Sequence, residues 1–440
     1  MGKRIRIFLL LLLCLVFVPK IDRGSQVAGQ LSDGVEKIWV ARYKVKTQDD
    51  NISTLATDGK GNIYVAGTIR ANSLDYLILK YSPSGKLLWA KKYDGSGYDD
   101  SLACMALDAQ GNLYVTGTSY GYASKNDIVT IKYDSYGNRK WVAKYNDSEA
   151  DYDWGSGMVV DRSGNVYVTG TSRSKKLGEQ MVTIKYNSSG RVLWTKLFDL
   201  YTQGILAELD DRGFEITLDK VGNVYVTGII DVGTYDTVTV KYSSSGTRGW
   251  VARYGGFGND RPKGIVADAG GNVCVSIESD AGNTGIVTIK YNYAGVKKWS
   301  KRYAGTGNNY AGVSGLGLDA AGNILVTGYC SRDTNGYVTL KYDPAGNRKW
   351  VKFYDGKDHS GAHADALALD SSGNVYVTGS SQSLIETIKY DTLGAERWHT
   401  SYAMMTYDPV HIAIDSSNNV IVAGQISEVD WEIIKYKQTP

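Results

Sequence analysis

All four histidines of this chain lie in its last quarter, at His359, His363, His399 and His411. Two share the segment DHSGAHAD, where Asp358, His359, His363 and Asp365 offer nitrogen and oxygen donors to a divalent metal. The candidate ligands are His359, His363 and Asp365. Glycine and alanine around them suit an unliganded loop equally well, and the spacing supplies no fourth ligand. A second candidate, Asp151-Tyr152-Asp153-Trp154-Gly155, begins like a calcium loop but lacks the third carboxylate and the distal glutamate. Its Trp154 stands beside Asp151 and Asp153 and outside the repeating pattern, which suits contact with an exposed ligand. Gly117-Thr118-Ser119-Tyr120-Gly121 matches the GxSxG nucleophile pattern. That serine ends a strand instead of occupying a strand-to-helix elbow, and sister segments read GTSRS and GSSQS, so no acyl-transfer chemistry follows. Beyond Cys14, Cys104, Cys274 and Cys330 have no regular spacing and imply no disulfide framework. Cys274 stands in VCV where sister segments have VYV, the place of a small apolar core residue.

The elements that would position these residues are set by internal repetition. An LDxxGNVYVTG element recurs eight times, anchored by Asp58/Asn62, Asp108/Asn112, Asp161/Asn165, Asp219/Asn223, Asp268/Asn272, Asp319/Asn323, Asp370/Asn374 and Asp415/Asn419. Asn62 and Asn419 are 357 residues and seven steps apart, a mean period of 51, which is the size of a propeller blade. A second element, TIKYDxxGxxxW, places a tryptophan eight residues after each of Tyr81, Tyr133, Tyr186, Tyr242, Tyr291, Tyr342 and Tyr390. Each unit therefore supplies four short strands, A to D, rich in valine, isoleucine, threonine and tyrosine. In both tight turns, A to B and C to D, an aspartate caps the chain and a glycine accepts positive φ. Eight copies of that Asp and Asn are a requirement of the blade, not eight ligand sites.

The chain ends predict how the set closes. Trp39-Val40-Ala41-Arg42-Tyr43 reads as a D strand with nothing before it, and the last unit has strands A, B and C but no D. Joined, they complete an eighth blade. The expectation is an all-β β-propeller of eight four-stranded blades, spanning 37–440, with the N-terminal strand completing the last. Closure of this kind leaves few unpaired strand edges.

Residues 1–28 carry Lys3, Arg4, Arg6, Lys20 and Arg23 against Asp22, and an apolar run from Ile7 to Val18. This predicts an export signal or a short uncleaved anchor, followed by a linker over 29–36. Leu13 before Cys14 is a poor lipobox. The localisation expected is secreted or cell envelope, in the periplasm or at the cell surface. The whole chain has a formal charge of +3 and the first 28 residues hold +4 of it, so the remainder is near neutral. Such a body has no electrostatic footprint for nucleic acid.

Segments such as DSSGNVYVTGSS and DAQGNLYVTGTS resemble the SBBP-type β-propeller repeat of exported bacterial and archaeal proteins and, more distantly, the NHL repeat. YDxxGxxxW is similar to the tryptophan-docking motif of eight-bladed quinoprotein propellers, with one residue fewer between Asp and Gly. The family's name refers to seven blades, and this sequence counts to eight. The resemblance implies fold and export, and no settled chemistry.

Function is expected on one rim. The A–B and C–D turns are nearly constant, whereas the D–A and B–C connections, which share the other rim, vary in length and composition, as binding loops on a rigid scaffold do. Tyr98, Asp100, Asp153, Trp154, Tyr310 and His363 are the ligand-binding candidates there. The reading is a non-catalytic binding or scaffold propeller for a protein, peptide or glycan at the cell envelope. No cofactor is expected, a divalent metal is possible at the histidine set, and membrane contact would run only through an uncleaved N-terminal segment. Two alternatives stay open: a quinone-dependent dehydrogenase, and a lyase or hydrolase with a metal in the central channel.

Overall fold

The computed structural model describes residues 34–439 apart from 46–49, 122–124, 147–149, 175–177, 200–209, 305–309, 332–333, 357–358, 360, 404–408 and 427–429. The export segment, Asp358 and residues 200–209 of the connection between blades 3 and 4 lie outside the described residues.

The described residues form strands and no α-helix, and no helix among them is long and apolar enough to cross a membrane. The 32 strands pair as antiparallel meanders: six four-stranded sheets, and one eight-stranded sheet made of two meanders joined by a single parallel pairing, Tyr152 with Asn126. This is consistent with eight blades, at 51–93, 100–145, 150–198, 212–254, 260–303, 311–354, 363–403 and 411–438. The last takes Val35–Lys44 as its outermost strand, paired along its length with Asp430–Gln438. First strands of successive blades touch around the whole set, and His411–Ile414 returns to Asn51–Thr57. The ring is closed, with the A strands innermost. The closing strand begins at Val35, inside the stretch read as linker, because Val35 is buried against Trp398 and Tyr436 and has Gln438 as its strand partner.

Position in the blade explains the residue pattern. B and C strands are covered on both faces by neighbouring blades, so VYVTG and TIKY are buried at consecutive positions instead of alternately. Threonine is tolerated there in most blades because its hydroxyl finds a partner: Thr116 Oγ1 donates to the Val129 carbonyl and lies 3.0 Å from Thr130 Oγ1, a pattern repeated at Thr227, Thr327 and Thr378, while Thr183 and Thr288 hydroxyls are buried without one. D strands alternate half-buried and exposed residues, as an outer strand should. Each A strand of blades 1 to 7 carries a bulge, at Leu102/Cys104 and its equivalents.

Candidate ligand-binding rim

The rim of tight turns is built entirely by repeated residues. Asp58 Oδ1 accepts from the Lys60 and Asn62 amides, each at 2.9 Å, and Oδ2 accepts from Asn62 Nδ2 at 2.8 Å and the Tyr64 hydroxyl at 3.1 Å. The same bracket recurs at Asp108, Asp161, Asp219 and Asp370. Where the tyrosine is replaced by Cys274, Leu325 or Ile421, a strand-C lysine takes its place: Lys290, Lys341 and Lys435 approach Asp268, Asp319 and Asp415 at 3.6, 3.0 and 2.8 Å. Burial would raise the carboxyls of Asp58, Asp219 and Asp370, but hydrogen bonds from the turn outweigh it and hold each below its usual range.

Tryptophan latches one blade to the next. Trp250 Nε1 donates to the Tyr293 carbonyl in the following C–D turn at 3.1 Å, and its ring covers Gly295, where an added Cβ would meet ring carbon at 2.6 Å. Gly295 has φ +81°, so it answers both the turn and the close approach. Trp39, Trp89, Trp141, Trp194, Trp299 and Trp350 make the same hydrogen bond to Pro83, Ser135, Ser188, Ser244, Pro344 and Thr392. The eighth, Trp398, faces the blade whose C–D turn is interrupted by the chain ends; its Nε1 is buried without an acceptor. Gln438 serves that junction instead, bridging Lys389, Tyr376 and the Asn418 carbonyl. A cleft of about 690 Å³ opens there, lined by Ile38, Pro83, Lys437 and Gln438 among others.

The variable rim holds the sequence-derived candidates, but not as one constellation. Tyr98 is exposed and packs edge-on against Tyr120, with ring centres 5.4 Å apart. Trp154 is half-buried and stacks on Tyr152 at 5.6 Å, leaving it on the surface of blade 3. Asp100 and Asp153 differ from the expectation of surface ligands: both are buried, as early A-strand residues turned into the blade junctions. Burial pushes the Asp100 carboxyl up, against the adjacent Ser119 hydroxyl and the hydrogen bond from the Gly95 amide.

Tyr310 and His363 are brought together by a residue the sequence reading missed, Tyr329. Its ring stacks on the His363 imidazole at 4.4 Å and 27° and meets Tyr310 edge-on at 6.0 Å. Gly312 makes room, since a Cβ there would strike the Tyr329 ring at 2.2 Å. Tyr329 Oη donates to Glu278 Oε2 at 3.5 Å, His363 Nδ1 lies 2.9 Å from Asp365 Oδ1, and Asp365 Oδ2 accepts from the Val410 amide at 3.0 Å. Blades 5 to 8 are thus linked along this arc, with Tyr310 and His363 reaching solvent. The signal for Tyr329 was present in GYC, where blades 1, 2, 3 and 7 read GTI, GTS, GTS and GSS, although blades 4, 5 and 8 also depart with GII, IES and GQI.

The metal candidates separate. His359 Nδ1 lies 2.5 Å from Asp355, and His363 and Asp365 bond to each other. Among the described residues, the metal-capable acids and histidines whose ligand atoms all lie within 4.8 Å are Asp75, Asp94 and Asp100, not the histidine set. Of the other histidines, His399 bonds to the buried Glu386 at 2.7 Å, and His411 Nε2 donates to the Ile52 carbonyl at 2.9 Å. Burial pushes the Cys104 thiol up to about 12, which leaves it a poor nucleophile. Glu215, also unforeseen, opens to solvent from the innermost strand yet is largely surrounded by protein, and burial pushes its carboxyl up to about 7.

The SBBP β-propeller repeat model matches residues 38–75 and 140–177, in keeping with the propeller fold described above. No curated protein matches its sequence. Among solved structures, Sqt1 from Chaetomium thermophilum is similar at TM-score 0.56 and 9% identity, over 93% of this chain and 100% of that one. A puromycin hydrolase is similar at TM-score 0.50 and 10% identity, covering 86% of this chain and 58% of its own. A prolyl endopeptidase is similar at TM-score 0.50 and 10% identity, covering 87% and 54%. The chain spans less than two thirds of either enzyme's length, and likeness at such identities shows the fold alone.

Proposed function

We propose that this propeller is an exported binding or scaffold module that holds a protein, peptide or glycan at the cell envelope through its variable rim. The observation carrying this reading is the Tyr310–Tyr329–His363 cluster, an aromatic arc that breaks the repeat and reaches solvent on the rim whose loops differ from blade to blade. Aromatic faces suit sugar rings and peptide side chains, and the neighbouring carboxylates Glu278 and Asp365 supply acceptors. The tryptophans that resemble a quinoprotein motif are engaged in blade docking, which is a structural role.

Export rests on the basic start and apolar run of Lys3 to Val18. The test is a screen of the purified protein against immobilised glycans, peptidoglycan fragments and envelope peptides, beside fractionation of the native cell. Saturable binding to one class, with the protein outside the cytoplasm, is expected. No binding to any class, or recovery from the cytoplasm with its first residues intact, would overturn the reading.

A further inference from the structure

The junction of blades 1 and 2 carries more negative charge than its own residues balance. Asp75 on strand C of blade 1, Asp94 just after strand D, and Asp100 at the start of the next A strand present carboxylate oxygens all within 4.8 Å of one another. Asp75 and Asp100 are fully buried and Asp94 is exposed. Among the described residues one cation enters: Lys92 Nζ lies 2.6 Å from Asp75 Oδ2. The Gly95 amide donates to Asp100 Oδ2 at 2.6 Å and the Gly97 amide to Asp94 Oδ1 at 2.7 Å. Asp75 Oδ1 and Asp100 Oδ1 remain buried without hydrogen-bond partners. Three carboxylates against one ammonium leave two negative charges, and Asp99 on the same loop adds to the potential.

A further group borders this space. The Ser119 hydroxyl is 1% exposed and makes no hydrogen bond of good geometry. It flanks the same point above Gly95 as the free Asp100 oxygen: a Cβ added to Gly95 would lie 2.3 Å from Ser119 Oγ and 3.0 Å from Asp100 Oδ1. Buried oxygens of this kind are costly unless something satisfies them.

The junction of blades 4 and 5 shows the same frame with its charge balanced from within, although Asp236 Oδ1 and Asp260 Oδ1 are buried there without hydrogen-bond partners as well. Asp236, Asp260 and Ser279 occupy the places of Asp75, Asp100 and Ser119, with Asp260 opposite Ser279 as Asp100 is opposite Ser119. There Gly255 replaces Asp94, Arg253 pairs with Asp236 at 2.5 Å, and Arg302 donates to Ser279 Oγ at 2.8 Å. Two guanidiniums offset two carboxylates. Blade 2 has an exposed Lys144 where blade 5 has Arg302, and Asp94 adds a third acid.

We propose that the junction of blades 1 and 2 binds a hard divalent cation of the calcium class through Asp75, Asp94 and Asp100, with the Ser119 hydroxyl as a neutral donor. The donors are all oxygens, which favours calcium over thiophilic or imidazole-seeking metals. The ion joins two blades and stiffens the loop that presents Tyr98. The test uses the full chain, stripped with EDTA and titrated with CaCl2, read by thermal unfolding and by terbium luminescence sensitised by Tyr93 and Tyr98. A saturable rise in Tm of about 3 °C is expected. Asp94→Asn weakens the midpoint at least tenfold while leaving the stripped Tm within about 1 °C, and Asp100→Asn abolishes the rise. If Asp100→Asn does not fold, Asp94→Asn decides, since its side chain is exposed. No calcium-dependent rise, or a rise of unchanged midpoint in Asp94→Asn, would overturn the site.

Discussion

The two rims of this wheel obey opposite rules. On the tight-turn rim the polar groups recur from blade to blade and find partners within the repeat or in the next blade, as the Asp58 bracket and the Trp250 latch do. On the other rim chemistry varies: the place of Thr118 in blade 2 is held by Glu278 in blade 5 and Tyr329 in blade 6. A repeated residue answers to the fold. A departure that reaches solvent has been released from that duty.

The largest expected effect tests the fold side of this contrast. Deleting Val35–Lys44 opens the edge of Asp430–Gln438 and strips the cover from Trp398 and Tyr436. Loss of the native thermal transition and self-association on gel filtration are expected. A monomer melting at the wild-type temperature would break the closure account.

Next comes a single latch. Trp250→Ala removes the ring from Gly295, Tyr225 and Tyr291 and the hydrogen bond to Tyr293, and should cost about 3 kcal/mol in chemical denaturation.

Acidity separates the rims with a smaller effect. Burial would raise Asp319, but Asn323 and Lys341 hold its carboxyl below the usual range, so its contribution is present at neutral pH and lost as pH falls through the lowered value. Asp319→Asn should cost about 2 kcal/mol at pH 7 and progressively less in strong acid. Asp260 is the reverse case. Burial keeps its carboxyl raised despite Ser279 and Arg302, so the folded state holds its proton more tightly and gains stability as pH falls from neutral towards the ordinary carboxylate range. Asp260→Asn should therefore be within about 1 kcal/mol of wild type at pH 7. A denaturation series from pH 7 to pH 3 on both variants checks the signs.

How far the sequence could be read follows the same division. The four-stranded unit and the turn aspartates were legible because each is stated up to eight times, the tryptophan spacings fixed their strands, and the lone Trp39 strand marked the closure. Asp100 and Asp153 were misplaced on the surface because a lone acid between strands carries no mark of the blade junction that buries it. Tyr329 was visible only as a break in a repeat, and Glu278, Tyr310 and His363 meet it through blade packing that no spacing along the chain encodes. The histidine pair failed to converge because Asp355 and Asp365, both close in sequence, each hold one histidine apart from the other.

A small effect on stability is expected at Trp154. Its stacking on Tyr152 leaves it half-buried at the surface, and Trp154→Ala should cost under about 1 kcal/mol.

The central claim is that binding resides in the departures from the repeat, and a paired measurement tests it most directly. With the ligand class found by screening, affinity and Tm are measured side by side for Tyr329→Ala and His363→Ala on one rim, and on the other for Asn112→Ala and for Tyr136→Ala, whose ring is exposed in the C–D turn of blade 2. The account predicts that the first two lose at least about tenfold in affinity with little change in Tm, while Asn112→Ala lowers Tm and Tyr136→Ala changes neither. Loss of binding in Tyr136→Ala with a folded protein, and wild-type affinity in Tyr329→Ala and His363→Ala, would place function on the repeated rim and contradict it.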